Sequence, residues 1–175
     1  MREIKVEKVT LNIGAGANQD DVQKGVVLLT NITGKPPVKT LAKKRIAAWK
    51  IRPGLPVGVK ATIRNEKEAK ELLTRLLDAV DFEIYQKQFS ENGFAFGIRE
   101  YIEIPGVKYE PKIGIIGLDV AVSLKRPGYR IRKRKLEQRS IPKNHKISKE
   151  DSMKFATDEL NVKVTQAKRQ EIRGY

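Results

Sequence analysis

The side chains best able to do chemistry in this chain are its cations, which gather in two blocks. Residues 35–64 contain nine Lys or Arg and no Asp or Glu, and residues 125–146 contain ten basic side chains and one acidic one. Residues 65–124, by contrast, have seven basic and eleven acidic side chains. Acid-poor blocks attract polyanions, so they predict binding to nucleic acid or to an anionic membrane. The alternative is a basic surface without a specific partner.

Other residue types form no comparable pattern for catalysis or metal binding. Cysteine is absent and His145 is the only histidine, which removes thiolate chemistry and the usual zinc ligand sets. Gly14-Ala15-Gly16 lacks the third glycine of a dinucleotide-binding turn and is interpreted as a tight connection between a strand and a helix. We therefore predict no catalytic residues, no metal and no cofactor.

The overall composition favours one domain with a small core under a large charged surface. The chain has 175 residues, of which 39% are hydrophobic, and a net charge of +15 from 36 basic and 21 acidic residues. A pI near 10.0 is typical of proteins that bind nucleic acid. Because neither a signal peptide nor an apolar stretch of about 18 residues is visible, we expect a cytoplasmic protein. We expect no membrane partner, because the basic segment 125–146 lacks the apolar face that binding to a membrane surface needs.

The first half of the chain carries strand and helix signals in turn. Val9, Leu11 and Ile13 alternate with polar residues, which predicts a half-buried strand. A helical pattern follows over 18–33 and ends at Gly34.

A basic hairpin is predicted over 46–64. Two apolar segments, 46–51 and 57–63, have the composition of strands, and the four residues 52–55 separate them. Pro at the second and Gly at the third of those positions suit a type II turn.

The second half begins with the strongest helical pattern, over 66–79, where leucines recur at helical spacing. Alternating segments then predict strands at 94–98, 101–104 and 118–124. A short helix is expected from Ser148. Val162 and Val164 indicate a final edge strand, and 166–175 a flexible tail.

The basic segment 125–147 has two interpretations. Tyr129 and Ile131 alternate with arginines, so the segment could begin as an extension of the preceding strand and continue as an arm that becomes ordered on RNA, with Tyr129 available for stacking. The alternative is a solvated, disordered loop. We favour the arm, because its ten cations are suited to a phosphate backbone.

Alternating strands of this kind form an antiparallel sheet with one solvated face, so the helices must cover the other face. The fold class is therefore α+β, with residues 1–165 as a single domain. If Ala61 and Ile63 face the helices, then Lys60, Thr62 and Arg64 face outward. Thr10 and Asn12 join them if the first strand belongs to the same sheet.

Several motifs resemble the family of the universal fifth protein of the large ribosomal subunit, which binds 5S rRNA. They are VTLNIG at 9–14, KKRI at 43–46, RPGLPVGVKAT at 52–62 and GIRE at 97–100. GLD at 117–119, RPG at 126–128 and HKISKE at 145–150 resemble its archaeal and eukaryotic branch. The resemblance covers about residues 4–165. Unlike bacterial relatives, the chain lacks an N-terminal helical extension and has the long segment 125–146.

The resemblance implies a mostly antiparallel sheet of about five strands, with helices packed on one face and a basic hairpin and arm. It implies a non-catalytic protein of the central protuberance, present as a monomer within the ribosome beside neighbouring ribosomal proteins. The implied RNA partners are 5S rRNA, large-subunit rRNA and the peptidyl-site tRNA.

The predicted contact residues fall into three sets. The 5S rRNA set is Asn12, Lys35, Lys43, Lys44, Arg45, Lys60, Thr62 and Arg64. The tRNA-contacting loop is Arg52, Pro53, Gly54, Leu55, Pro56 and Val57. The arm that binds large-subunit rRNA contributes Lys125, Arg126, Tyr129, Arg130, Arg132, Lys133, Arg134, Lys135 and Arg139.

Two other functions compete with this hypothesis. The charge alone permits a DNA-binding module, although no helix-turn-helix or basic recognition helix is visible. An RNA-acting enzyme would need a cluster of carboxylates or histidines, which the sequence does not indicate.

Overall fold

The computed structural model describes residues 1–166, which form an α+β fold. The α-helices and β-strands are, in chain order, β1 (Lys5–Gly14), α1 (Gln19–Thr33), β2 (Val38–Leu41), β3 (Pro56–Ile63), α2 (Glu66–Asp78), β4 (Glu83–Tyr85), β5 (Phe89–Ser90), β6 (Gly93–Ile98), β7 (Leu118–Lys125), α3 (Lys149–Leu160) and β8 (Lys163–Thr165). The predicted tail, 166–175, lies outside the described residues except for Gln166.

Six strands form one antiparallel sheet in the order β2-β3-β1-β7-β6-β5. The predicted fold class is confirmed, with one strand more than the five that the resemblance implied. The strand predicted near Val164 is also present as β8, but it pairs in parallel with β4 in a separate two-stranded sheet.

The core lies between one face of the large sheet and helices α1 and α2. Val9, Leu11 and Ile13 of β1 are buried in it, as their alternation predicted. Helix α1 packs mainly on β3 and α2 on β1. Gly25 of α1 is buried at this contact and faces the Val59 and Ile13 side chains. Helix α3 packs at the other end of the sheet, on β5 and β6.

Capping residues determine where α1 begins and ends and where α3 begins. Asn18 accepts the N–H of Asp20 at 3.1 Å, and Gly34 ends α1 in the left-handed region at φ 65°. At α3, the hydroxyl of Ser148 accepts the N–H of Asp151 at 3.1 Å, and the Asp151 carboxylate accepts the N–H of Ser148 at 3.1 Å. These caps explain why sequence and structure agree on both helices.

The strand predicted at 46–51 is wrong. Ile46 and Ile51 pair only with each other, and the residues between them include a short 3₁₀ helix, Ala47–Trp49. The partner of β3 in the hairpin is β2. Strand β2 was not predicted because it is a short edge strand without a buried side chain, so it shows no apolar alternation. The turn at 52–55 is confirmed, with Gly54 at φ 84° and the N–H of Leu55 donating to the Arg52 carbonyl at 3.1 Å.

The strand predicted at 101–104 is also wrong. Its residues form a 3₁₀ helix, Tyr101–Glu103, in which the buried residues Tyr101 and Ile104 are three positions apart. The proposed strand at the start of the arm is also wrong, since β7 ends at Lys125 and Tyr129–Arg132 form another 3₁₀ helix. In that segment Tyr129 and Ile131 do alternate as in a strand, but they pair with no neighbouring strand within residues 1–166.

Candidate nucleic-acid interface

The sheet face opposite α1 and α2 is uncovered over much of its area, and we call it the open face. Its centre consists of two cross-strand rows, Lys60, Asn12, Asp119 and Gly97 in one and Thr62, Thr10, Ala121 and Ala95 in the next. Asn12 and Thr62 therefore lie on one surface, as their alternation predicted. The register that places them in adjacent rows comes from the pairing of β1 with β3.

Apart from Lys60, the side chains in the two central rows are short, so another molecule can approach the sheet closely. Ala95, Gly97 and Ala121 are exposed and offer almost no bulk. Asn12 and Thr62 are half-buried between their neighbours, so both residues are partly accessible to another molecule. A flat surface with fixed donors and acceptors can hydrogen-bond to RNA sugars and base edges.

Asp119 is an open-face residue that the sequence analysis did not assign. It lies directly opposite Asn12 on β1 and Gly97 on β6, and it is exposed. Its position among the outward residues of β7 was the available signal, but the charge pattern singled out cations alone. A carboxylate accepts hydrogen bonds from amino groups of bases or from a 2′-hydroxyl, but it repels phosphates. Asp119 can therefore add selectivity for bases or sugars, although it would weaken binding to the phosphate backbone.

Lys35 lies apart from these rows. Its ammonium group forms an ion pair with Glu68 of α2. The same hydrogen bond holds the pKa of the exposed Glu68 carboxyl below its ordinary value, aided by the amide of Asn65. RNA binding by Lys35 would have to compete with this pair.

Arg64 lies between the end of the hairpin and the arm. It is exposed immediately after β3, and it lines a cleft together with Lys125 and Arg130 of the arm and Glu7 of β1. The two basic blocks, far apart in sequence, thus meet at one end of the sheet.

The connection between β2 and β3, residues 42–55, forms an ordered loop that we call the hairpin loop. Ala42 closes its base, donating its N–H to the Leu55 carbonyl at 2.8 Å and accepting the Gly54 N–H at 2.9 Å. Lys43, Lys44 and Arg45 are all exposed along it. Of the predicted tRNA-contacting residues, 52–54 are exposed and 55–57 are half-buried.

The arm, 125–147, folds back onto the protein around Tyr129. The Tyr129 hydroxyl accepts the N–H of Ile147 at 3.0 Å and lies 3.2 Å from both the Asn92 side-chain oxygen and the His145 carbonyl. The His145 ring meets Tyr129 edge-on and bonds to the Pro127 carbonyl at 2.8 Å. Tyr129 and His145 therefore hold the arm in place, and the prediction of a freely stacking Tyr129 does not fit this arrangement.

Arg126 is the second predicted arm residue with an internal role. It is only 8% exposed, and its guanidinium donates to the Lys146 carbonyl at 3.1 Å and to the Asp151 carboxylate at 3.0 Å. Because its own side chain is buried and already bonded to these groups, Arg126 is not available to RNA in this arrangement, and it is left out of the proposed contacts. It ties the arm to the first turn of α3.

The remaining arm cations surround the folded segment on its solvent side. Lys133 forms an ion pair with Glu7, which holds the arm beside β1. The other exposed cations among the predicted contacts are Arg130, Arg132, Arg134, Lys135 and Arg139, and Lys143 and Lys146 of the arm are exposed as well. The arm forms a basic wall at one end of the open face.

Residues 1–166 contain no cluster of three or more His, Asp or Glu side chains that could hold a metal ion. Within the same range, none of the helices is long and apolar enough to cross a membrane.

Two protein-family models match the chain. The model for ribosomal protein L5 matches residues 1–52, and the model for the C-terminus of the same ribosomal protein family matches residues 56–155. The boundary between them falls at the end of the hairpin loop.

Curated archaeal proteins are similar over nearly the whole chain. The large ribosomal subunit protein uL5 of Nanoarchaeum equitans is 50% identical over 164 residues, which cover 94% of this chain and 97% of that protein. The protein of the same name from Sulfolobus acidocaldarius is 44% identical, over 94% of this chain and 92% of its own length. That of Methanobrevibacter smithii is 39% identical, over 93% and 95%.

Proposed function

The chain belongs to the ribosomal protein L5 family, and from that premise we propose that its open face binds 5S rRNA. The protein is a structural component of the large ribosomal subunit, not an enzyme. Its compartment is that of the archaeal ribosome, the cytoplasm.

The observation that carries the proposal is the juxtaposition of Asn12, Thr62 and Lys60 on one open surface. In this proposal, Asn12 and Thr62 provide hydrogen bonds that fix the register of the RNA, while Lys60 and Arg64 contact phosphates. Lys43, Lys44 and Arg45 extend the basic surface along the hairpin loop. Lys35 contributes only if it leaves Glu68.

The other two predicted contacts complete the proposal. The arm, 125–147 without Arg126 and Tyr129, contacts the neighbouring large-subunit rRNA, and the exposed turn at 52–54 contacts the peptidyl-site tRNA. Residues 1–165 act as one RNA-binding unit, a single copy beside other proteins of the central protuberance. The cleft lined by Arg64 and Arg130 supports a continuous RNA-binding surface from the open face to the arm.

The test is the double variant Asn12→Ala/Thr62→Ala in a filter-binding assay with 5S rRNA. Losing two hydrogen bonds worth about 0.5–1.5 kcal/mol each should weaken binding about 5- to 150-fold without changing the salt dependence. The free energy of unfolding should change by less than about 1 kcal/mol, since both side chains lie outside the core.

Thr74→Ala/Thr157→Ala is a matched control, because both hydroxyls are exposed and bond only to their own helices. It should bind 5S rRNA as the wild type does. Unchanged binding by Asn12→Ala/Thr62→Ala would show that the open face is not the 5S rRNA site. Duplex DNA that competes as well as 5S rRNA would favour a general nucleic-acid binder.

A further inference from the structure

The hairpin loop exposes an aromatic side chain that the proposed contacts do not use. Trp49, the only tryptophan of the chain, is 67% exposed at the tip of the loop. Tryptophan is ordinarily well buried in proteins, because its large ring gains much from leaving water. Its exposure among cations calls for a partner that offers a flat, apolar surface together with negative charge.

The backbone around Trp49 is ordered. Ile46 and Ile51 exchange two hydrogen bonds, of 3.0 and 3.1 Å, which close the tip. Ile51 is buried, and the N–H of Lys50 donates to the Ala47 carbonyl at 3.0 Å. The ring is therefore held out from the protein by a fixed support, which lowers the entropy cost of using it for binding.

The charges around the ring select one class of partner. Lys43, Lys44, Arg45, Lys50 and Arg52 are all exposed in the hairpin loop. None of them forms an ion pair with a carboxylate among residues 1–166. Nucleobases stack on aromatic rings while the adjoining phosphates pair with cations, so a nucleotide strand matches both features of the tip.

We propose that Trp49 is a stacking platform for a nucleobase that stands outside an RNA helix, with the exposed side chains of Lys50 and Arg52 holding its phosphates. The inference rests on the proposed function, because it takes the hairpin loop to face RNA. It adds a contact that depends on the base as well as on the backbone, at a place distinct from the open face.

Fluorescence of the full chain tests this directly, since all tryptophan emission comes from Trp49. The probes are a single-stranded oligoadenylate and inorganic polyphosphate, which present similar charge with and without bases. Oligoadenylate should quench the emission in a saturable way, whereas polyphosphate should leave it nearly unchanged. Equal quenching by both, or none by oligoadenylate, overturns the proposal.

Variants supply the second measurement. Trp49→Leu keeps an apolar side chain without a stacking face and should weaken oligoadenylate binding, measured by anisotropy of labelled RNA, by about 5- to 150-fold. Trp49→Phe should recover part of that loss. Equal affinity of Trp49→Leu and the wild type would overturn the proposal.

The same variants separate this inference from the proposed function. Trp49→Leu should bind 5S rRNA within about twofold of the wild type if the open face holds that RNA, and it should unfold at the same temperature because the ring is exposed. If Asn12→Ala/Thr62→Ala did not weaken 5S rRNA binding, the open face would not be the 5S rRNA site, but the stacking role of Trp49 would be unaffected. Anionic phospholipid vesicles that shift the Trp49 emission, when oligoadenylate does not, would replace RNA with a membrane as the partner.

Discussion

The open face and the arm differ in nearly every physical property, although both lie on the same side of β1. The open face is flat and has mostly short side chains, and its two central rows contain one cation, Lys60, and one carboxylate, Asp119. The arm is irregular, and it carries exposed cations on long side chains. Their support differs too, because the strands of the open face bury their other side in the core, whereas the arm is held by a few polar contacts around Tyr129 and Arg126.

If both regions bind RNA as proposed, this difference gives them different tasks. Phosphate contacts supply affinity that depends strongly on salt but little on sequence, whereas hydrogen bonds to sugars and base edges fix register and identity. The arm is suited to the first task and the open face to the second. Variants of the two regions should therefore differ in salt dependence as well as in the size of their effect.

The largest effect is expected from the exposed arm cations. If about eight phosphates are neutralised in all, the logarithm of affinity should fall with the logarithm of salt at a slope of roughly −6 to −7. Replacing Arg130, Arg132, Lys135 and Arg139 by Gln should make the slope shallower by about 3 and weaken RNA binding about 200- to 1,000-fold at 0.15 M salt. Filter binding over a salt series measures both quantities.

The matched control removes the same charge from another surface. Lys70, Lys87, Lys108 and Lys112 are exposed and belong to the acidic stretch 65–124. Their replacement by Gln should leave the slope within about 1 of the wild-type value. Equal losses in the two quadruple variants would mean that net charge alone governs binding and that the arm has no special place.

The two regions also differ in how far the sequence could predict them. The open face could be predicted from the alternation of apolar and polar residues in β1. Because Val9, Leu11 and Ile13 are buried, Thr10 and Asn12 must lie on the other face of the sheet. The register between strands depends on tertiary packing, so the pairing of Asn12 with Asp119 was not predictable from either segment.

The arm and the hairpin loop were poorly predicted for a different reason. A run of basic residues gives no periodic signal, so the one buried arginine, Arg126, could not be told from its exposed neighbours. Its partner Asp151 lies 25 residues further along the chain. In the hairpin loop, the apolar residues Ile46 and Trp49 suggested a strand, but Ile46 precedes a short 3₁₀ helix and Trp49 ends it, and both side chains are exposed.

The second prediction concerns the attachment of the arm. Arg126→Met removes hydrogen bonds to the Lys146 carbonyl and to Asp151, and it should lower the free energy of unfolding by about 2 kcal/mol. The loss stays below that of a fully buried pair, because the Asp151 side chain is 35% exposed and can return to water. Chemical denaturation measures the stability.

Hydrogen exchange over 125–147 reports whether the arm has detached, and it should accelerate in Arg126→Met. Arg130→Met is the control, since Arg130 is exposed and should change stability by less than about 0.5 kcal/mol. Similar exchange in the wild type and Arg126→Met would show that the arm is held without this arginine.

The third prediction concerns a substitution that adds a larger side chain to the open face. A Cβ at Gly97 would meet only the Asp119 side chain, at 3.6 Å, so Gly97→Val should keep the fold, and a β-branched residue favours a strand. Its methyl groups would stand on the surface proposed to bind RNA, so binding to 5S rRNA should weaken by about tenfold, or about 1.4 kcal/mol. Filter binding and thermal unfolding measure the two effects.

Gly117→Ala gives the opposite result and serves as the contrast. A Cβ at Gly117 would lie 2.8 Å from the Arg99 carbonyl oxygen, so this substitution should destabilise the fold. RNA binding by Gly97→Val at wild-type strength would show that the RNA does not approach the flat part of the sheet.

The smallest effect is a dependence of arm attachment on pH. The backbone N–H of Ser148, and also its hydroxyl and Arg126, hold the pKa of Asp151 below its ordinary value of 3.8. A carboxyl whose pKa is lower in the folded state stabilises the protein above its unfolded pKa, and this contribution disappears as the pH falls through the folded value. Asp151→Asn should therefore cost about 1 kcal/mol at pH 6, a figure limited by solvent screening, and progressively less below pH 4.

Urea unfolding of the wild type and Asp151→Asn between pH 3 and pH 6 measures that gap directly. Comparing the two proteins cancels the titration of every other carboxylate, which an acid titration of the wild type alone could not do. The open face offers the reference, because Asn12→Ala removes no titratable group and should differ from the wild type by the same amount at each pH. A constant gap for Asp151→Asn as well would mean that the charge of Asp151 does not contribute to attaching the arm.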